Sequence, residues 1–503
     1  MFKIFQALFI VIFLSSCATM GRDSRAKLLS FVKNKNYEKA LKHLDSDKFF
    51  KDEDSKLLYF LEKGMVLHKM GNYAQSSVEL EKARELFEKL YTVSVSKKAA
   101  TVITNETMDI YYGEKYERSM LYFYLALNYY LEYLNTGKRE SLFRSRATLV
   151  GWEAFQSELK EDRAGKTVFK YDLLSRLFGA FVHEEVGSSS DRQIAAGLYR
   201  DADQILLKNY NSYPSFNSKF KKFNKDYKKF ASLGASKVKK SYVEATPHQI
   251  AAKEFVKKKR KGNTLFLYQE KFIPKKYAKK EYYGLGDAFA KNSAAARIGA
   301  VVLGHFAAKT LGLYPPQGYN PVGYQLGFEV GRAAVSIASI SFELPHIDDF
   351  HSPQKRTLQV EDMRGKVVKK SDFYLVNPMG EIARQAVAEN SAVLYTKIGA
   401  RLAMKHIVAI LASYGTYNAI KSKGEFFAKN AAVVQYLAVS KGIEASESAD
   451  TRYWSTLPEN IHLTRLNLKN GKYLVKVLDG KKVLSKKEIE LSQKVKHKLI
   501  SLN

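Results

Sequence analysis

The chain divides into a first half with helical spacing of hydrophobic residues and a second half in which helical and strand-like patterns mix. From residue 23 to about residue 235, apolar positions recur every three or four residues, which predicts amphipathic helices. Residues 116–133 are apolar around most of the helix circumference, so we expect this helix to pack between neighbours. The pattern therefore predicts an α-helical half at residues 30–235.

Repeated signatures indicate that these helices come in pairs. Small and aromatic residues occupy the offsets at which a tetratricopeptide repeat (TPR) packs its two helices, namely Gly64, Leu67, Gly71, Tyr73 and Ala83. An earlier copy begins at Asn36, about one 34-residue period before, and weaker copies centre on Gly137 and on residues 194–206. Stacked pairs predict a TPR-like superhelix with a concave face. An irregular helical bundle is the alternative.

A concave face of this kind binds an extended peptide or the surface of another protein. Tyrosines are dense near the third copy, and aromatic side chains are frequent anchors in protein interfaces. We take three of them as candidate partner-binding residues: Tyr111, Tyr112 and Tyr122. The same side chains also fit a place in the helical core.

The helical periodicity is lost at residues 236–283, which we interpret as a basic connector. Beyond it, residues 284–503 show strand-like alternation, one long or two shorter helices at residues 381–413, and the turn signals Arg364-Gly365, Asn470-Gly471 and Asp479-Gly480. Strands are predicted at 333–344, 358–362, 366–370, 461–468 and 473–478, with further alternation to residue 502. The fold class is therefore α+β, multidomain, with a small antiparallel sheet in the second domain.

The first residues have the pattern of a bacterial lipoprotein leader. A single cation, Lys3, precedes an apolar run, and Ser15 and Ser16 provide small residues before Cys17, the only cysteine of the chain. We interpret residues 1–16 as a signal peptide, Cys17 as the lipid attachment site and residues 17–29 as a lipidated tether. Ala18, in place of the aspartate that retains lipoproteins in the inner membrane, predicts anchoring in the outer membrane, facing the periplasm. An ordinary secretory leader is the alternative.

Positive charge is concentrated in one stretch of the chain. The formal net charge is +31, and residues 219–280 contain 20 lysines and arginines against 4 acidic residues. In the periplasm such a stretch suits lipid phosphates, peptidoglycan carboxylates or an acidic protein, and nucleic acid is excluded as a partner. Solvated helix faces and a linker are the alternative interpretation.

Motifs that carry chemistry are scarce. The sequence lacks the phosphate-binding, nucleophile-elbow and zinc-protease motifs, so we predict no catalytic residue, no cofactor and no metal. One cluster, from His346 to His351 with Asp348 and Asp349 between them, has metal-ligand chemistry on a short loop. It supports the competing hypothesis of a metal-dependent enzyme or envelope hydrolase.

A second polar cluster lies at residues 450–458. Asp450, Arg452 and Trp454 predict either a buried polar brace or a binding patch, because an aspartate and an arginine this close form a fixed pair. We include these three with the tyrosines as candidate partner-binding residues.

Three segments carry a family resemblance: the YGEKYER motif at residues 112–118, the ALNY motif at 126–129 and the ADTRYWSTLP motif at 449–458. Together with the leader they resemble an uncharacterised family of Gram-negative lipoproteins. The resemblance implies a TPR-like N-terminal half, an α+β C-terminal half and a role in the cell envelope, in some genomes beside small lipoproteins similar to activators of peptidoglycan synthases. The basic stretch and the Lys-rich C-terminal tail depart from that family.

We therefore expect a non-catalytic scaffold that binds an envelope protein in cell-envelope assembly or peptidoglycan maintenance. An envelope enzyme centred on the second domain is the alternative. A spacer that uses its basic stretch to bind an anionic envelope polymer is a further hypothesis.

Overall fold

A computed structural model describes residues 16–97, 110–159, 172–205, 263–284, 339–347, 355–446, 448–491 and 497–502. Its first half is helical and its second half contains sheets and a helical hairpin. The α+β class predicted from the sequence is confirmed.

The helices of the first half follow one another as antiparallel pairs joined by short turns. Their bounds are α1 Ser16–Lys33, α2 Tyr37–Ser46, α3 Lys48–Lys51, α4 Lys56–Met70, α5 Tyr73–Lys97, α6 Lys115–Thr136, α7 Arg139–Glu158, α8 Leu173–Val186 and α9 Ser189–Gln204. Each helix packs against the next along the chain, which is the arrangement of an α-hairpin stack. Gly71, Gly137 and Gly187 end α4, α6 and α8 with positive φ angles, as left-handed C-terminal residues of helices do.

Gly64 shows why the predicted pairing works. A Cβ atom at this position would lie 2.5 Å from Cδ2 of Leu80 in α5, and the Ser76 hydroxyl donates to the Gly64 carbonyl at 2.6 Å. Only glycine permits this close approach of α4 and α5. The buried α6 has side chains packed on nearly all sides, so the predicted helix between neighbours is confirmed.

The second half contains three sheets and two long helices. Its strands are β1 Asn263–Glu270, β2 Lys276–Gly284, β3 Ser339–Ile347, β4 Thr357–Asp362, β5 Val367–Asp372, β6 Tyr374–Asn377, β7 Asn460–Leu466, β8 Gly471–Asp479, β9 Lys482–Leu491 and β10 His497–Leu502, and its helices are α10 Met379–Ile420 and α11 Glu425–Ser446. One sheet has the order β10-β1-β7-β6, another β5-β4-β8-β9, and β2 pairs with β3. The predicted β4–β5 and β8–β9 hairpins are present as antiparallel pairs.

Strand β1 lies in the middle of a layered core. Leu265 and Leu267 on one face join the core cluster of the helices, and Phe266 and Tyr268 on the other face pack with β4 and β8. A strand buried on both faces is a continuous apolar run rather than an alternating one. The helices, the β1 sheet and the β4 sheet thus form successive layers.

Three boundaries predicted from the sequence are wrong. Residues 263–283 of the predicted connector form β1 and β2, and Pro345 lies inside β3 instead of ending it. Residues 17–29, predicted as a tether, belong to α1, which packs through Leu28 and Val32 against the helical core. The sheets are also not purely antiparallel, since β1 and β10 pair in parallel. The other residues of the predicted connector, 236–262, lie outside the described residues.

Helices α10 and α11 form a hairpin with the β2–β3 pair against it, and we call this unit the arm. Phe342 of β3 packs against Ile398 and Leu402 of α10. The base of the arm contacts the helical half at Glu114, which accepts from Asn390 at 3.0 Å and pairs with Lys276 at 2.9 Å. From this base β2 and α10 run outward together.

Candidate functional site

The conspicuous polar site of the molecule surrounds residues 449–459, which we call the crossing segment. It links α11 to β7 and runs between the helical half and the β1 sheet, with residues 452–459 all buried. The Trp454 side chain is 0% exposed and lies 5.9 Å from the Tyr124 ring of α6. A polar segment in such a position needs a hydrogen-bond partner for each buried group.

Glu62 of α4 supplies part of these partners. Its carboxylate accepts from the Ser455 backbone N–H at 2.6 Å, from the Ser455 hydroxyl at 2.7 Å and from the Thr456 hydroxyl at 2.5 Å. Burial raises the pKa of Glu62, although these donors favour its charged form. The carboxylate therefore fixes the crossing segment to the helical half.

Glu117 of α6 holds the crossing segment in the same way. Its carboxylate accepts from the Trp454 backbone N–H at 2.7 Å, from the Tyr111 hydroxyl at 2.5 Å and from the Glu114 backbone N–H at 2.8 Å. The bond to Glu114 belongs to the capping box that begins α6. Burial first, and then the charge of Glu114, raises the pKa of Glu117 to about 7.

The predicted Asp450–Arg452 pair forms as expected. Both Asp450 oxygens accept from the Arg452 guanidinium, at 3.0 and 2.9 Å, and Arg452 also donates to the Asp54 carbonyl at 3.0 Å. Burial alone favours a neutral aspartic acid, but the Arg452 charge outweighs it and lowers the pKa of Asp450. The pair thus joins the crossing segment to the chain just before α4.

Cationic side chains complete the junction of the two halves. Arg25 of α1 lies 5.3 Å from the centre of the Tyr453 ring and 5.5 Å from that of Phe49, and burial lowers the pKa of Arg25. Lys276 of β2 is buried against Glu114, whose charge, opposing the effect of burial, raises the pKa of Lys276. This lysine of the basic stretch is therefore unavailable to an anionic polymer.

The candidate partner-binding residues do not form an exposed surface. Tyr111, Tyr122, Arg452 and Trp454 are buried, and Tyr112 and Asp450 are half-buried. Tyr111, Asp450, Arg452 and Trp454 come together at the junction, whereas Tyr122 stacks on Phe155 of α7 at 5.7 Å. The four buried residues pack against the protein's own chain, and the role of the six residues as anchors for a partner stays a prediction. Of the two interpretations of residues 450–458, the structure has the buried brace.

A second set of buried charges holds the sheet to the helices. Arg465 of β7 donates to Glu184 of α8 at 2.5 Å and to the Tyr199 hydroxyl of α9 at 2.8 Å. Within the sheet, Glu270 accepts from Arg356 at 2.6 Å and contacts His462 at 3.1 Å. Burial favours protonation of Glu270, but His462 and Arg356 together lower its pKa to about 2. Sequence reasoning missed these partners, which are far apart along the chain.

The helical half has a surface groove of a different character. It has a volume of about 580 Å³ and lies between α5, α6 and α7. Its lining residues are Ala74, Ser77, Val78, Glu81, Lys82, Arg84, Glu85, Tyr129, Glu132 and Arg144. We call this the groove.

The floor of the groove is held by hydrogen bonds, and its charges are unevenly paired. Tyr129 donates to Glu81 at 2.9 Å and accepts from Arg144 at 2.7 Å. The cations Lys82 and Arg84 are paired with Glu79 and Glu81 at 3.0 and 2.6 Å.

Two carboxylates of the groove remain open to a ligand. Among the described residues Glu85 and Glu132 have no ion pair. Val78 beside them is 55% exposed, whereas the Ser77 hydroxyl, which has no hydrogen-bond partner among the described residues, is buried. The groove therefore offers two carboxylates and an apolar contact.

The structure leaves the metal hypothesis untested. His346 lies on β3 with its ring 5.3 Å from that of Tyr277, and Asp348, Asp349 and His351 lie outside the described residues. Within the described ranges, no group of three or more potential ligands could hold a metal ion. In the same ranges, no helix is long and apolar enough to cross a membrane.

Lipid attachment also stays a prediction. Cys17 lies in the first turn of α1, and residues 1–15 lie outside the described residues. Comparison with protein-family models, with curated proteins and with solved structures finds no match for this chain.

Proposed function

We propose that this protein is a non-catalytic, TPR-like scaffold, anchored by acyl chains on Cys17 in the outer membrane, that holds a partner protein of the periplasm in its groove. The groove carries this proposal, because it presents unpaired carboxylates and an exposed Val78 on a stack of helix pairs. The leader pattern and the resemblance to envelope lipoproteins support the location and a role in envelope assembly or peptidoglycan maintenance.

The chemistry of the groove favours a basic partner segment. Lys82 and Arg84 are paired with acidic residues and Arg144 donates to the Tyr129 hydroxyl, so the carboxylates without an ion pair among the described residues are those of Glu85 and Glu132. A lysine or arginine side chain of an extended segment would lie between them, with a neighbouring apolar side chain against Val78. Concave faces of helical repeats bind extended segments in this way.

The packing of the two halves supports a rigid attachment. Glu62 and Glu117 fix the crossing segment to α4 and α6, and α1 packs on the same core. Cys17 stands only four residues before Gly21, which touches Phe49 of α3. An acyl anchor there holds the groove at a short and constant distance from the bilayer.

Site-specific photocrosslinking in intact cells tests the groove. A photoreactive amino acid at Val78 is expected to capture specific envelope proteins, and adding the charge reversals Glu85→Lys and Glu132→Lys is expected to abolish this capture. Val150 of α7 is a matched control, since it is a valine 58% exposed outside the groove. Equal crosslinks from both positions, or none from Val78, would contradict the proposal.

The anchor has a separate test. Mass spectrometry of the N-terminal peptide is expected to show acyl chains on Cys17, and fractionation should place the protein with the outer membrane. The Cys17→Ser variant is expected to move to the soluble periplasmic fraction. An unmodified Cys17 thiol in the mature protein would disprove the anchor while leaving the groove to its own experiment.

A further inference from the structure

The outer end of the arm has an unusual surface. Helix α10 ends at Ile420, a 3₁₀ turn covers Lys421–Lys423, and α11 begins at Glu425 after Gly424. We call residues 421–427 the tip. Every residue of the tip is exposed.

The tip stands well away from the helical half. Thirty residues of α10 separate Asn390, which contacts Glu114, from Ile420, and at 1.5 Å per residue this is about 45 Å. Within the described residues, Leu402 of α10 packs with Phe342 of β3 and Ile443 of α11. The arm therefore presents its tip far from the groove and from the junction.

Two neighbouring phenylalanines dominate this surface. The side chain of Phe426 is 83% exposed and that of Phe427 is 62% exposed. Phe427 continues into an exposed apolar line on α11 through Val434. Single exposed apolar side chains are common on protein surfaces, but adjacent exposed rings form a patch of the kind that another apolar phase covers.

The charges beside the rings indicate which apolar phase this is. Lys421 and Lys423 are exposed and have no ion pair among the described residues, and with the exposed Glu425 they leave the tip a net positive charge. Lysines next to aromatic rings suit the boundary between anionic headgroups and acyl chains, where the rings enter and the cations stay at the phosphates. A protein interface, by contrast, is depleted in lysine at its core.

We propose that the tip docks on a phospholipid bilayer with anionic headgroups, with Phe426 and Phe427 inserted among the acyl chains and Lys421 and Lys423 at the phosphates. This site is distinct from the acyl anchor and does not depend on the groove. A protein held by Cys17 would thereby gain a second bilayer contact through the arm.

Vesicle binding tests the proposal on the mature chain carrying Cys17→Ser, which has no acyl group of its own. The protein is expected to sediment with vesicles of phosphatidylethanolamine and phosphatidylglycerol and to bind phosphatidylcholine vesicles weakly. Phe426→Ala with Phe427→Ala should reduce partitioning about 100-fold, and Lys421→Gln with Lys423→Gln about 10-fold, with a smaller salt dependence. Circular dichroism and the thermal unfolding of each variant check that it is folded.

A matched control distinguishes binding by the tip from non-specific adsorption of the protein to vesicles. Phe143 of α7 is also an exposed phenylalanine, and it has Arg139 and Arg146 beside its ring. Phe143→Ala is expected to bind vesicles like the parent protein. Equal losses of vesicle binding in Phe143→Ala and in the tip variants would overturn the proposal. Equal binding to anionic and phosphatidylcholine vesicles would overturn it as well.

A fluorescent probe reports insertion directly. Both native tryptophans, Trp152 and Trp454, are buried, so Phe426→Trp adds a single exposed indole. Its emission is expected to shift to the blue on adding anionic vesicles and to be quenched by brominated acyl chains. A blue emission before lipid is added would show that residues of this chain or a second copy cover the tip. That result, or a dimer in sedimentation without lipid, would overturn the proposal.

Discussion

The junction and the groove use the same residue types in opposite ways. At the junction, Glu62 and Glu117 are buried, and each accepts several hydrogen bonds from the protein's own chain. In the groove, Glu85 and Glu132 reach the surface and have no ion pair among the described residues. A carboxylate surrounded by its own donors contributes to the fold, whereas one without a partner remains available for recognition.

The difference also shows where sequence motifs mislead. Three predicted partner-binding residues, Tyr111, Arg452 and Trp454, are buried and connect the two halves of the molecule. Glu85 and Glu132 of the groove, by contrast, belong to none of the motifs identified in the sequence. The comparison can be tested by removing carboxylates from each region.

The largest effect is expected at the junction. Glu62→Ala leaves the Ser455 N–H and the hydroxyls of Ser455 and Thr456 buried without an acceptor. At about 1 to 3 kcal/mol for each orphaned donor, with partial relaxation, the free energy of unfolding should fall by about 3 to 5 kcal/mol. Urea unfolding followed by circular dichroism measures this change.

The control for this variant is Glu53→Ala, which removes a side chain 79% exposed and paired with Lys56. It is expected to change the free energy of unfolding by no more than about 0.5 kcal/mol. Similar losses in the free energy of unfolding for both variants would mean that the buried carboxylate of the junction contributes no more to stability than an exposed one.

A pH dependence of stability is the next largest effect. Glu117 has a pKa of about 7 in the folded protein against 4.5 ordinarily, so the folded state binds its proton more tightly. Stability from this group is fully present below pH 4.5 and is lost as the pH rises through 7, by about 3 kcal/mol at most. Glu62, whose pKa is also raised, adds in the same direction.

Urea unfolding at several pH values tests this assignment with Glu117→Gln. The variant cannot titrate, so its stability should fall less than that of the parent protein between pH 5 and 8. Glu270 does not interfere in this window, because its pKa is lowered to about 2 and its contribution is lost only in acid. An unchanged slope in the variant would assign the pH dependence to other groups.

The smallest effect on stability is expected in the groove. Glu85→Gln with Glu132→Gln keeps the size of both side chains and disrupts no ion pair among the described residues, so the free energy of unfolding should stay within about 0.5 kcal/mol of the parent value. Crosslinking from Val78 should nevertheless weaken. A large loss of stability would show that these carboxylates are structural after all, like those of the junction.

Local patterns predicted the local structure well. The α4–α5 pair follows from Gly64 and Gly71, whose sizes and positions have a direct steric meaning, and the β4–β5 hairpin follows from alternation around Gly365. Strand β1 was missed because its short apolar run lies within a lysine-rich stretch, where charge density suggested a linker.

Contacts between residues far apart in the chain could not be predicted from the sequence. The Asp450–Arg452 pair is local and was predicted, but nothing in the order of residues links Trp454 to Glu117 or β1 to β10. The groove and the tip depend on which surfaces stay uncovered, and that depends on the whole fold. Periodicity gives the faces of the elements but not the neighbours of each face.

The crossing segment has a consequence for how the protein matures. Ser455 and Glu62 are 393 residues apart in sequence, so a chain that emerges from its N-terminus presents an unfinished helical stack long before the completing segment arrives. Such contacts between distant residues slow folding and leave apolar surface open to aggregation. Biogenesis of this protein is therefore expected to require a holding chaperone until its last strands have been synthesised and delivered.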